Sequence, residues 1–426
     1  MLAVCLASFS FILISSIFGM PISGTHTVIG ALIGAGLAGI PPGDLNWKKF
    51  GMTVASWFIS PVLATCLACV LFIVICLLTL PGGKIESAVK KLHLMCLLSS
   101  ICLTFTAYMV IFLAVDNPQT ELFQIALPVA FVLAWLFVRA CLTYAANSQP
   151  VEPKLTFLQI LGSTFAFWSF DTVLSRKPLY RSIEDGTELL PSLQNKIYVN
   201  AIVNFGYRAL LVQAACLVCL AHGSNDVANS IAPLLVELGI KDLKTEFAYW
   251  LGGIGIAVGL LTLGYKVMET VGKKVIKLDF YKGFACQFAT ANCIIMGSRL
   301  GIPLSTTHCA VGALFGMVLC NKLGPIKKVY EELDEIDTYV PINKSQDNEE
   351  KPKLHSKLQL SSHGSEDDFP TGELLIEKTP ERAKEQQDEN SINFGTVKKI
   401  LIFWGLTVPV AMGVSYGIAK LLLIGQ

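Results

Sequence analysis

Two short stretches carry side chains suited to gripping a small oxyanion. Residues 19–34 read GMPISGTHTVIGALIG, and residues 301–316 read GIPLSTTHCAVGALFG. Ser23 and Ser305 stand 282 positions apart, as do His26 and His308, and the Gly, Pro, Thr and Gly-Ala-Leu positions keep the same offset. In each copy Gly-x-Pro breaks one apolar run and a second run begins. Proline inside a helix removes a backbone hydrogen bond, so the residues after Pro21 and Pro303 open a new helix. A helix start presents unpaired N–H groups at the positive end of its dipole. Ser23, Thr25, Ser305, Thr306 and Thr307 add hydroxyl donors at the same place. The combination suits a tetrahedral oxyanion such as phosphate. The plainer alternative is that the hydroxyls only cap the helices.

A second group is Asn225-Asp226-Val227-Ala228-Asn229, preceded by His222-Gly223-Ser224 in an apolar setting. An ionised carboxylate in hydrocarbon is costly, which makes Asp226 a functional candidate. Asp226 and Asn229 are three apart and share a helix face. With Asn225, and with carbonyls freed near Gly223 and Pro233, they offer hard oxygen ligands to a small cation such as Na⁺. The alternative is an Asp that caps a half-helix. Gln287 and Thr290 also share a face, and are candidates either for pore lining or for joining helices. His26 and His308 are expected to hydrogen-bond the backbone of their own hairpins. The sequence has no nucleophile with a base, no HExxH and no P-loop, so neither an enzyme nor a bound cofactor is expected.

These residues sit in a membrane chain. Of 426 residues 53% are hydrophobic and 15% charged, with mean hydropathy +0.57; a soluble domain carries about 25% charged residues. A net charge of +1 gives no pull toward nucleic acid. Most of the 13 cysteines lie in apolar runs, where free Cys acts as a small hydrophobe. A span needs about 20 apolar residues, and residues 50–80, 94–115, 122–138, 205–221, 247–265 and 400–424 supply candidates. Trp135 and Arg139 are expected as interface anchors. Gly253 and its neighbours at small-xxx-small spacing are expected to permit close helix contact.

The expected fold is an all-α polytopic membrane protein of two halves built on one plan, the second tip suiting a re-entrant hairpin. Residues 1–144 form a first transmembrane repeat, read as N-terminally truncated. Residues 145–200 form a polar, cytoplasmic linker and 201–322 the second repeat. Residues 323–393, with EELDEID, SQDNEE and SEDDF, read as a disordered cytoplasmic loop. Residues 394–426 hold the last span. Lys327, Lys328, Lys398 and Lys399 flank the loop and argue for the cytoplasmic face.

GSNDVANSIAPL at 223–234, with PISGTH at 21–26 and PLSTTH at 303–308, resembles the inorganic phosphate transporter (PiT) family of cation–phosphate symporters. KKFGMTVASWFISPVLA at 48–64 and KKILIFWGLTVPVA at 398–411 look like that family's segments after each hairpin. The resemblance implies an inverted-repeat transporter with two re-entrant helical hairpins, and phosphate held between the two tips by Ser23, Thr25, Ser305, Thr306 and Thr307. It implies Na⁺ or H⁺ held at Asp226 and Asn229, with Asn225 a weaker ligand, and commonly a homodimer. The expected residence is the plasma membrane. Two departures stand out: the family's NDxxN motif occurs here only in the second half, and Gln287 stands where some members have Glu. The competing readings are a truncated, non-transporting binding or regulatory protein of the same family, and a transporter of another oxyanion such as sulfate.

Overall fold

The computed structural model describes residues 1–80, 88–114, 120–147, 191–238, 245–270, 278–339 and 394–424. Among these the chain is all-helical. In order the helices are α1 (Leu2–Ile17), α2 (Gly24–Gly39), α3 (Trp47–Leu78), α4 (Ala88–Ala114), α5 (Thr120–Asn147), α6 (Pro191–Leu238) and α7 (Thr245–Gly259). A π-helical turn, Leu260–Gly264, joins α7 to the short α8 (Tyr265–Glu269). Then come α9 (Phe280–Arg299), α10 (Thr306–Asn321), α11 (Gly324–Tyr339) and α12 (Phe394–Ile424). Among the described residues five helices are long and apolar enough to cross a membrane, or six if the bent pair α10–α11 counts as one.

The repeated motif builds the same turn twice. After α1, Gly19 takes φ +67°, and its N–H reaches Ser16 O while that of Met20 reaches Ser15 O. After α9, Gly301 takes φ +65°, and the N–H groups of Gly301 and Ile302 reach Ser298 O and Gly297 O. Only glycine enters this left-handed region without a steric cost, so each Gly closes a helix. Pro then prevents the helix from resuming. Ser23 and Ser305 cap the returning helices, each accepting the N–H three residues on at 3.2 Å. The result is two helix–turn–helix hairpins, α1–α2 and α9–α10.

Each hairpin packs its returning helix on a distant one. The two most extensive helix pairings are α2 with α12 and α10 with α3. Both long partners carry an internal proline, Pro409 and Pro61. Glycines make the approach. A Cβ on Gly30 would lie 2.8 Å from Val408 O, and one on Gly316 would lie 2.9 Å from Thr65 O. A Cβ on Gly34 would overlap the Met412 carbonyl, and one on Gly312 the Pro61 carbonyl. Thr65 donates its hydroxyl to Gly312 O at 2.7 Å and Cys69 its thiol to Gly316 O at 3.2 Å, fastening α3 to α10. Gly253 has open space around it, whereas its neighbour Gly252 meets α6, where a Cβ would lie 2.7 Å from Ile231 Cγ1.

The main core gathers Phe72 of α3, Met95 of α4, Tyr207 of α6, Phe284 of α9 and Met317 of α10. Four expectations change. The helix α6 runs unbroken through Gly223 and Pro233, so no carbonyl is freed by a break at Gly223, and near Pro233 the carbonyl left without a helix donor is that of Asn229, four residues back. It starts at Pro191, inside the stretch read as linker. Arg139 is fully buried, its guanidinium 5.2 Å from the Trp135 ring centroid, instead of standing at an interface. The stretch read as disordered from 323 begins with the helix α11, bent 89° from α10. Ile326, Val329 and Leu333 sink the apolar face of α11 into the core, and Tyr330 donates to Asp279 Oδ2 at 2.6 Å. Residues 340–393 lie outside the described residues, as does most of the linker.

Candidate functional site

Asp226 lies where the two hairpin tips meet, and its carboxylate is shared between them. Oδ1 accepts from Asn225 Nδ2 at 3.1 Å, Asn229 Nδ2 at 3.2 Å and Thr25 Oγ1 at 3.4 Å. Oδ2 accepts from Thr306 Oγ1 at 3.1 Å and pairs with His222 Nε2 at 2.6 Å. Thr25 belongs to the first tip and Thr306 to the second. Two hydrogen-bonded oxygens and a histidine offset the cost of burying this charge.

The tips also bond directly to each other. Thr25 Oγ1 donates to Leu304 O at 3.3 Å, and Thr307 Oγ1 donates to Ile22 O at 3.1 Å. Thr25 and Thr307 are equivalent positions of the repeat, and so are Ile22 and Leu304. The exchange is therefore reciprocal. Asn225 Nδ2 adds a bond to Leu304 O at 2.9 Å, and Asn229 Nδ2 one to Thr25 Oγ1 at 3.2 Å.

Behind the tips four rings form a column. Trp57 and His26 have centroids 3.7 Å apart, His26 and His308 4.4 Å, and His308 and Trp404 3.6 Å. Trp57 comes from α3 and Trp404 from α12, and Trp404 Nε1 donates to Pro21 O at 3.2 Å. Neither histidine ring bonds its hairpin backbone as expected. His308 Nδ1 meets Ser305 Oγ at 2.5 Å, and both ring nitrogens of His26 are buried without a hydrogen-bond partner. Ring contacts stand in place of the expected bond: His308 stacks on Trp404 at 29°, while His26 meets Trp57 at a tilt of 42°.

The sequence candidates thus separate into groups. Asn225, Asp226, Asn229, Thr25 and Thr306 form one cluster, and Thr307 crosses to the opposite tip beside it. Ser23 and Ser305 are buried caps beneath the tips. Gln287 and Thr290 lie on α9 and are not among the donors to Asp226. Asn225 and Asn229 present N–H groups to the carboxylate, so as cation ligands each amide would have to turn its oxygen inward. His222 was not singled out as a site residue, although its spacing, four before Asp226, places it on the same helix face. The Leu304 and Ile22 carbonyls left no sequence signal, because every residue carries one.

Val fills the shape of Thr without its hydroxyl. Thr25→Val removes the one hydroxyl hydrogen that Asp226 Oδ1 and Leu304 O share and the oxygen that accepts from Asn229, whereas Thr307→Val removes only the bond to Ile22 O. We expect Thr25→Val to weaken the binding of an oxyanion between the tips by about tenfold, and Thr307→Val by less, at about 1 kcal/mol per lost bond. Titration of the purified protein with phosphate as the probe anion tests the order. Equal effects would mean that Asp226 does not depend on Thr25.

Comparison with known proteins follows the same direction. A sequence model described as the phosphate transporter family matches residues 1–415. The chain is similar to a protein of Haemophilus influenzae named "Putative phosphate permease", 32% identical over 330 residues, covering 74% of this chain and 68% of that one. It is also similar to an Arabidopsis thaliana protein named inorganic phosphate transporter 2-1, chloroplastic, at 27% identity over 74% of this chain and 51% of the relative. A solved structure titled as the sodium-dependent phosphate transporter superposes with TM-score 0.59 and 23% identity, over 99% of this chain and 79% of that one.

Proposed function

The chain belongs to the phosphate transporter family, a family of membrane transporters and not of enzymes, and from that premise we propose that it carries inorganic phosphate with a cation, Na⁺ or H⁺, by alternating access. The observation that carries the reading is the sharing of one carboxylate between hydroxyls of both tips. Thr25 and Thr306 each have one hydroxyl hydrogen. Each can give it to Asp226 or to a phosphate oxygen, but not to both. A cation at Asp226, Asn229 and Asn225 draws the carboxylate charge away from the hydroxyls. They then join Thr307 and the caps Ser23 and Ser305 at the start of α2 and α10, where the helix dipoles favour an anion. Cation charge also offsets phosphate charge in the low-dielectric interior. Neither ion binds well alone, which is what couples them.

In this reading α1–α2 and α9–α10 are re-entrant hairpins of an inverted repeat, as their matched turns and reciprocal bonds support. The long helices α3 and α12, each held by the opposite hairpin, are the bodies that rock. Gln287 and Thr290 line the path on α9. The protein is a multi-pass membrane protein. Its proposed residence is the plasma membrane, and its proposed assembly is a homodimer, for which Gly255 and Gly259 on α7 leave open space for helix contact.

Purified protein in liposomes, loaded with and without a Na⁺ or pH gradient, should accumulate radiolabelled phosphate only when one gradient points inward. Accumulation independent of both gradients would remove the symport reading. Sulfate should compete weakly; equal competition would make the substrate a general oxyanion.

A further inference from the structure

A cavity of about 780 Å³ leads away from the tips, lined by Asn225 and Asn229 at its inner end and by Lys49. Val28 and Leu32 of α2 and Val236 of α6 are among its apolar walls. Asn225 and Asn229 are half-buried while Lys49 is exposed, so the lysine stands at the mouth. Asp226 is not among the lining residues, and Lys49 is the lining side chain that carries a charge. An anion entering here meets the Lys49 cation at the mouth and two amides at the inner end. Low-dielectric walls around a single sign of charge focus its field along the cavity.

The position of Lys49 is not explained by helix stability. Asn46 caps α3 by accepting the Lys49 N–H at 2.9 Å, which places Lys49 in the first turn. A cation there opposes the helix dipole. Resting on the phosphate-transport reading, we infer that this cavity is the route by which the anion reaches the tips, and that Lys49 gathers it at the entrance. Lys49 sets the apparent affinity and takes no part in the cation step.

The test measures initial phosphate uptake in liposomes of phosphatidylcholine alone, for the wild-type chain, Lys49→Gln and Lys49→Arg, at low and high ionic strength. Lys49→Gln should raise KM by roughly three- to tenfold at low salt with kcat unchanged, and the difference should shrink at high salt. Lys49→Arg should restore the wild-type KM. Because Lys49 is exposed, the thermal unfolding midpoint should be the same in all three proteins. An unchanged KM in Lys49→Gln, beside a wild-type chain that takes up phosphate, overturns this inference alone. A wild-type chain without phosphate uptake overturns the transport reading and this inference with it. A KM difference that arises only when anionic lipid is added assigns Lys49 to lipid headgroups and overturns the route.

Discussion

Asp226→Asn should abolish cation-driven phosphate uptake while leaving the helices folded. The carboxylate accepts from Asn225, Asn229, Thr25 and Thr306 and pairs with His222. An amide keeps one oxygen and puts an N–H where the other stood. That N–H would face either the Thr306 and His222 side or the three donors on the other side. Replacing the carboxylate by an amide removes the negative charge that would face the cation in a low-dielectric setting, so cation binding should fall by a factor on the order of a hundred or more. Phosphate binding without cation should weaken less, because Thr25 and Thr306 no longer give their hydrogens to a carboxylate. Gradient-driven uptake and equilibrium phosphate binding separate the two effects. Na⁺ or proton stimulation that survives in Asp226→Asn would show that the cation site lies elsewhere.

The second large effect concerns the crossing of α2 and α12. A Cβ on Gly34 overlaps the Met412 carbonyl, which belongs to helix backbone and cannot swing aside. Gly34→Val should therefore force the two helices apart. Overpacking of this kind costs about 1–3 kcal/mol or more, and the displaced α2 carries Thr25 away from Asp226. We expect a fall in unfolding midpoint together with loss of uptake. Gly413→Ala on the facing helix is the control: a Cβ there meets nothing within 4 Å, and Ala is favoured over Gly in a helix by about 1 kcal/mol. A Gly34→Val protein as stable as Gly413→Ala would mean that the helices do not touch at this point.

Both predictions join residues far apart in the chain, and they mark where reading from sequence stops. The turns were readable. Gly19 and Gly301, the prolines after them and the capping serines obey rules that act within a few residues. The amphipathic α11 reads as disordered loop in the sequence, because seven acidic and basic side chains in Gly324–Tyr339 outweigh its few apolar ones. Their helical spacing, Ile326-Val329-Leu333, was the signal that would have found it. Arg139 was placed at an interface because its charge suggested water; burial beside Trp135 depended on neighbours that the sequence did not identify.

The sequence by itself determined that the chain is a polytopic helical protein with two equivalent tips rich in hydroxyls, and that Asp226 is the charge to explain. These follow from composition and from steric rules at single residues. Only the tertiary structure decided that α2 lies on α12 and α10 on α3, so that each hairpin is held by a long helix from the other half of the chain. Only it decided that Thr25 and Thr307 exchange bonds across the tips, that four rings stack behind them, and that Asp226 joins the tips. The physical reason is that partner choice over hundreds of residues depends on fit. Glycine faces such as Gly30-Gly34 and Gly312-Gly316 accept a proline-bearing helix closely, but which such helix each receives is settled only when every surface is packed at once.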